Sequence, residues 1–167
     1  MKECIFCKIA IGSVPSYKIW ETDSVLGVLD ILPASKGHVI IFPKEHLEKI
    51  ESISDNILKE IVIAIKALCS AIYRAFNPKG IHIVVNEGEI AGQTVKHFSV
   101  NIIPRYGNEK VVCAWEKRSV SPEELVQIQQ VLLKALQQTT IAKEGEKKEE
   151  KIEDIEVKYL SSLFTRK

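Results

Sequence analysis

Between Ser54 and Phe76 the apolar residues Ile57, Ile61, Ile65, Leu68, Ile72 and Phe76 recur at three- and four-residue steps, which is one stripe of an α-helix. Asn77-Pro78-Lys79-Gly80 ends that helix, because proline cannot continue it and asparagine and glycine suit its final turn. The apolar pattern changes elsewhere. Tyr17–Thr22, Val25–Asp30 and His38–Pro43 read as strands joined by Asp23-Ser24 and by Pro33–Gly37, connections short enough to predict an antiparallel meander. Ile81–Asn86 and Val95–Ile103 are rich in β-branched residues and read as two more strands, with Val111–Trp115 as a further candidate. Cys4–Ile11 reads as a short helix or turn closed by Gly12, and Pro15 breaks the chain before the first strand. Ser121-Pro122-Glu123-Glu124 opens a second helix, with Ser121 as cap, Pro122 at the first helical position and Glu124 placed to complete a capping box. That helix is expected to run to about Leu136. The pattern predicts an α+β fold: an antiparallel sheet of about five strands, a long central helix and a C-terminal helix.

Length and charge narrow the picture. A chain of 167 residues suits one domain with a real core, here expected over residues 1–140. Residues 141–167 read as a charged C-terminal extension, mixed in sign from Lys143 to Asp154 and then carrying a faint helical stripe of Ile152, Ile155, Tyr159 and Leu163. A formal net charge of +1 provides no basic field for a nucleic acid. The N-terminus lacks the apolar core of a signal peptide, and no run approaches the ~20 apolar residues of a membrane span. A cytoplasmic protein without a membrane or nucleic-acid partner is the expectation.

The candidate chemistry sits in residues 92–105, Gly-Gln-Thr-Val-Lys-His-Phe-Ser-Val-Asn-Ile-Ile-Pro-Arg. In an extended strand successive side chains point to opposite faces, so His97, Ser99 and Asn101 share one face while Phe98, Val100 and Ile102 share the other. Gly92 ahead of them can bring backbone N–H groups close to an anion. This stretch resembles the histidine-triad (HIT) proteins, whose signature is His-x-His-x-His followed by two apolar residues, commonly preceded by Gly-Gln-[Ser/Thr]-Val-x. His97 falls on the first histidine of the signature, Ser99 on the second and Asn101 on the third. The resemblance spans roughly residues 3 to 136 over several separate motifs, and it implies a HIT-like fold and a homodimer.

Cys4-x-x-Cys7 has the spacing of tetrahedral zinc sites, of redox dithiols, and of simple buried pairs. In the prokaryotic branch of the family that the chain resembles, such a pair is completed by a histidine after a Pro-Lys motif and by the first triad histidine. Pro43-Lys44-Glu45-His46 and His97 hold those positions, so the resemblance implies a structural zinc on Cys4, Cys7, His46 and His97. An exposed His46 with a merely orienting His97 is the alternative. Cys69 and Cys113 lie in apolar runs and read as small core residues.

The same resemblance implies a purine nucleotide ligand of the AMP or ADP kind. Asp30 would accept from a ribose hydroxyl pair, as an acceptor-only carboxylate can, although an aspartate there also suits a turn cap. Asn86, Gln93 and Thr94 match positions that touch phosphate. Ile5, Phe6, Ile9 and Val28 match those that sandwich the base, and apolar residues at such places also serve as plain core. His38 matches a fourth family histidine behind the site, and a hydrogen-bonded structural histidine is the competing reading. His82 shares strand parity with Asn86 but lies roughly 13 Å from it, too far to stand in for a missing nucleophile.

In active relatives the middle histidine attacks the α-phosphorus and the third assists with charge and protons. Ser99 needs a base within hydrogen-bond reach to attack, and Asn101 has no proton to exchange. His97 is the only nearby imidazole, and metal binding would remove it from service. Two functions follow: a nucleotide-binding sensor or partner-binding module without efficient turnover, or a residual hydrolase or transferase of dinucleoside polyphosphates or nucleoside phosphoramidates working through Ser99 and His97 or by other chemistry.

Overall fold

The computed structural model describes residues 4–107, 109 and 117–144. The chain forms two compact units, Met1–Cys113 and Ala114–Lys167. The first contains helix α1 (Ile5–Ala10), strands β1 (Lys18–Glu21), β2 (Val25–Leu29) and β3 (Val39–Pro43), helix α2 (Asp55–Phe76), and strands β4 (Gly80–Val85) and β5 (Val100–Arg105). The strands make one antiparallel sheet in the order β1-β2-β3-β5-β4. The expected meander is therefore present, and β5 inserts between β3 and the edge strand β4.

Helix α2 begins where Ser54 Oγ accepts the N–H of Ile57 and ends at Asn77, which adopts a left-handed conformation with φ 46°. Its buried stripe of Ile61, Ala64, Leu68 and Ile72 packs on a sheet face built from Val25, Val39, Ile41, Val100 and Ile102. Each buried valine, leucine or isoleucine among them contributes roughly 1.5–3 kcal/mol by leaving water. Gly27 lets the layers approach: a Cβ there would lie 2.9 Å from Trp20 Cβ and 3.5 Å from Leu68 Cδ1. The opposite face carries Leu26, Val28 and Phe42, over which Phe6 and Ile9 of α1 pack. Phe6 stacks on Phe42 with ring centroids 4.5 Å apart.

Two sequence expectations change, and a third falls outside the described residues. Strand β5 starts at Val100 and not at Val95, because residues 95–97 bend. The His97 N–H donates to Val95 O at 2.7 Å, and Phe98 N–H to Leu47 O at 2.6 Å. The regular strand thus begins only after His97, but His97, against Phe6 and Phe42, still lies on the α1 side with Ser99 and Asn101, while Phe98, Val100 and Ile102 join the α2-side core as expected. Second, in the other unit α3 runs from Pro122 to Glu144, beyond the expected Leu136. Ser121 Oγ caps it by accepting from Glu124 N–H at 3.1 Å, while the Glu124 carboxylate turns to Arg118 at 2.9 Å instead of closing a capping box. Third, the candidate strand Val111–Trp115 lies outside the described residues, as do most of the charged extension and Cys113. Among the described residues no helix is long and apolar enough to cross a membrane.

Candidate functional site

Three segments distant in sequence bring Cys4, Cys7, His46 and His97 together. Cys4 caps α1, Cys7 lies in that helix, His46 follows β3 and His97 lies in the bend before β5. One ligand atom from each falls within 4.8 Å of the others. Cys4 Sγ is 3.4 Å and Cys7 Sγ 3.6 Å from His97 Nδ1, and Cys7 Sγ is 3.2 Å from His46 Nδ1. A tetrahedral ion with thiolate and imidazole ligands needs neighbouring donors about 3.6 Å apart, so the residues fit such an ion.

The His97 tautomer is set by its second nitrogen. Nε2–H donates to Pro43 O at 2.8 Å, and since a carbonyl only accepts, the Nδ1 lone pair is left facing the thiols. His97 is 0 % exposed, and burial holds its pKa below the usual histidine value; the Pro43 bond opposes this and His46 adds to it. Burial likewise raises the Cys7 thiol, helped by its hydrogen bond and charge interaction with Cys4. With His97 held toward its neutral form and the Cys7 thiol toward its protonated form, a metal would bind there by displacing thiol protons.

On the α1 side of the sheet lies a cavity of about 590 Å³. Ile5, Phe6, Ile9 and Val28 are among its apolar walls, and Asp30, Asn86, Gln93, Thr94, Ser99 and Asn101 supply its polar ones. His97 is not among the walls. The sequence candidates therefore fall into two adjoining places, joined by Phe6, which lines the cavity and meets the His97 ring edge-on at 5.6 Å.

The polar residues are partly committed to one another. Asp30 Oδ1 accepts the Leu32 N–H at 2.9 Å, a turn cap, while Oδ2 lies 3.2 Å from His38 Nδ1. His38, 6 % exposed and behind the wall, receives the Ala34 N–H on Nδ1 at 3.2 Å. Its Nε2 lies 3.1 Å from Asn101 Oδ1, which ties Asn101 to the Asp30–His38 pair. Gln93 is a tie: its nitrogen donates to Glu48 O at 3.1 Å and His97 O at 3.5 Å, and its oxygen accepts from Gly88 N–H at 2.8 Å. The Asn86 amide donates to Gly92 O at 3.4 Å. Among the described residues the Ser99 hydroxyl has no hydrogen-bond partner, and neither His97 nor His38 turns a free nitrogen to it.

Sequence reasoning did not find the anchoring carbonyl of Pro43 or the tying role of Gln93, since both depend on contacts between segments with no local signature. His82 pairs instead with Arg105, its Nδ1 3.0 Å from the Arg105 Nη1, while Arg105 Nε meets Glu109 at 3.4 Å. Cys69 packs beside the α2 core, its pKa raised by burial.

Residues 12–108 match the HIT domain family. The chain is 39% identical over 123 residues to the adenosine 5'-monophosphoramidase hnt1 of Schizosaccharomyces pombe, covering 73% of this chain and 90% of that one. Its fold is similar to the crystal structure of a HIT family member from Bacillus subtilis, with TM-score 0.76 and 38% identity over 79% of this chain and 96% of that one. It is also similar to a zinc-bound histidine triad family protein from Mycobacterium smegmatis, with TM-score 0.61 and 27% identity over 83% of this chain and 98% of that one.

Proposed function

The chain belongs to the HIT domain family, and from that premise we propose that it is a nucleotide-binding module of the family that has lost efficient nucleotidyl transfer. Its ligand is a purine nucleotide of the AMP or ADP kind, and it acts as a nucleotide sensor or partner-binding protein. The observation that carries this reading is the direction of His97. The ring is held by Pro43 and turned to the cysteines, so Ser99 has no base in reach, and Asn101 takes the place of a proton-exchanging group. Losing acid–base help alone costs about 10²- to 10⁴-fold in rate. The relative from Schizosaccharomyces pombe shows the chemistry to test against.

A structural zinc would be held by Cys4, Cys7, His46 and His97, where two thiolates and two imidazoles close the coordination sphere and leave it to brace the fold. Ile5, Phe6 and Ile9 would sandwich the base, Asp30 accept from the ribose, and Ser99, Thr94 and Asn101 donate to the oxygens beyond it. A homodimer is part of the proposal. Its support is the edge strand β4, which exposes Ile83 by 52 % and Val85 by 44 %, and bare apolar edges invite pairing. Calorimetric titration with AMP and ADP, beside a metal assay and a sedimentation measurement, tests all three parts. Binding of neither nucleotide would remove the functional reading.

A further inference from the structure

We infer that residues 4–16 form a strap that couples the Cys4, Cys7, His46 and His97 quartet to the cavity, so that an ion on the quartet tightens nucleotide binding and a bound nucleotide tightens the ion. This rests on the metal and nucleotide readings above and adds the link between them. The strap belongs to both places: Cys4 and Cys7 give two of the converging ligand atoms, while Ile5, Phe6, Ile9, Val14, Pro15 and Ser16 line the cavity. Phe6, between the cysteines, makes the join, since it stacks on Phe42 at 4.5 Å and meets the His97 ring edge-on at 5.6 Å.

Little else holds the strap down. Its backbone bonds turn inward: Ile11 N–H donates to Cys7 O, Gly12 N–H to Ile9 O, and Ser13 N–H and Val14 N–H both to Lys8 O. Among the described residues no backbone hydrogen bond ties 4–16 to the sheet, and that pairing begins only at Tyr17, whose carbonyl accepts the Leu29 N–H at 3.0 Å. Attachment therefore falls to side chains, namely Phe6, Ile9 and Ala10 against Leu26, Val28 and Phe42, and the two thiols beside His46 and His97. A helix of six residues is far below the ~12–15 at which one is marginal by itself, so α1 keeps its shape only while docked. A thiol is a weak hydrogen-bond donor, which leaves the ion-free strap easier to open than the sheet and α2 beneath it. Opening removes a wall of the cavity, and apparent affinity falls with the fraction of chains whose wall is closed. The four ligand atoms converge only in that closed form, so by linkage each site favours the other by one common factor.

The test uses the full chain at one pH. Calorimetric titration with AMP, in zinc and then in chelator, should give about tenfold tighter binding with zinc, and competition for zinc by a chromophoric chelator should shift by the same factor when AMP is saturating. Cys7→Ser, a change outside the cavity wall, should leave AMP affinity insensitive to zinc. Hydrogen exchange read by mass spectrometry places the effect: starting from the metal-free chain, zinc or AMP alone should slow exchange in residues 4–16 and leave α2 unchanged. AMP bound equally well with and without zinc overturns the coupling while the metal and nucleotide readings survive, and protection spread evenly over α2 overturns the strap as its carrier. Failure to bind AMP in either state, or to take up zinc at all, removes the corresponding reading and this inference with it.

Discussion

Replacing His97 with alanine distinguishes a ring turned into the fold from a ring presented to the cavity. The side chain is 0 % exposed, donates to Pro43 O at 2.8 Å and meets the rings of Phe6, Phe42 and His46 edge-on at 5.6, 5.8 and 5.2 Å. Loss of the hydrogen bond costs about 1 kcal/mol, with Pro43 O left without that donor. Removing a fully buried ring leaves a hole like that of a large-to-small core change, about 2–4 kcal/mol. The sum, about 3–5 kcal/mol, is a large part of the ~5–15 kcal/mol that holds a domain folded. Urea denaturation in a chelator, so that no metal contributes, should show a midpoint lower by about 2 M, given a slope of about 1–3 kcal/mol per M. A loss under about 1 kcal/mol, or intact stability with abolished nucleotide binding, would refute the inward placement.

Three further outcomes follow from the same geometry. The metal-free protein should lose stability as pH falls below about 6.5, the ordinary histidine value: burial lowers the His97 pKa in the fold, so the unfolded chain takes up the proton first. His97→Ala should flatten that part of a pH series of denaturation curves. Plasma emission spectrometry should find about one zinc per chain, lost on Cys4→Ser or His46→Ala; stable, metal-free protein as isolated would contradict the site. Gly37→Ala should cost about 1–3 kcal/mol by thermal melting, because φ is +85° and an added Cβ would lie 3.0 Å from the Phe76 ring; unchanged stability would show that the turn relaxes freely.

What could be read from the sequence was what local physics decides. Ser54 and Asn77 bound α2 where the apolar stripe and the breaker cluster placed its ends. The short connections at Asp23-Ser24 and Pro33–Gly37 gave the meander its neighbours, since a short link forces antiparallel pairing. The error at Val95 had a cause of the same kind: the residue type is right for a strand, but the chain bends so that His97 can reach Cys4, Cys7 and Pro43, three contacts invisible to a periodicity of two. Gln93 was legible as polar and near the site, but not as a tie that fastens its own loop at Gly88 to Glu48 in another. Asp30 suits both a turn cap and a cavity wall, and the structure gives it both places, so composition alone had no means of separating them.

The central claim, a cavity that retains a nucleotide but has no equipped attacking atom, is tested most directly by incubating the full chain with adenosine 5′-phosphoramidate. Product release and intact protein mass are followed over hours, with Ser99→Ala in parallel. The account predicts unmodified protein and product no faster than with Ser99→Ala. Nucleotidylated protein, or turnover that disappears with the serine hydroxyl, contradicts it.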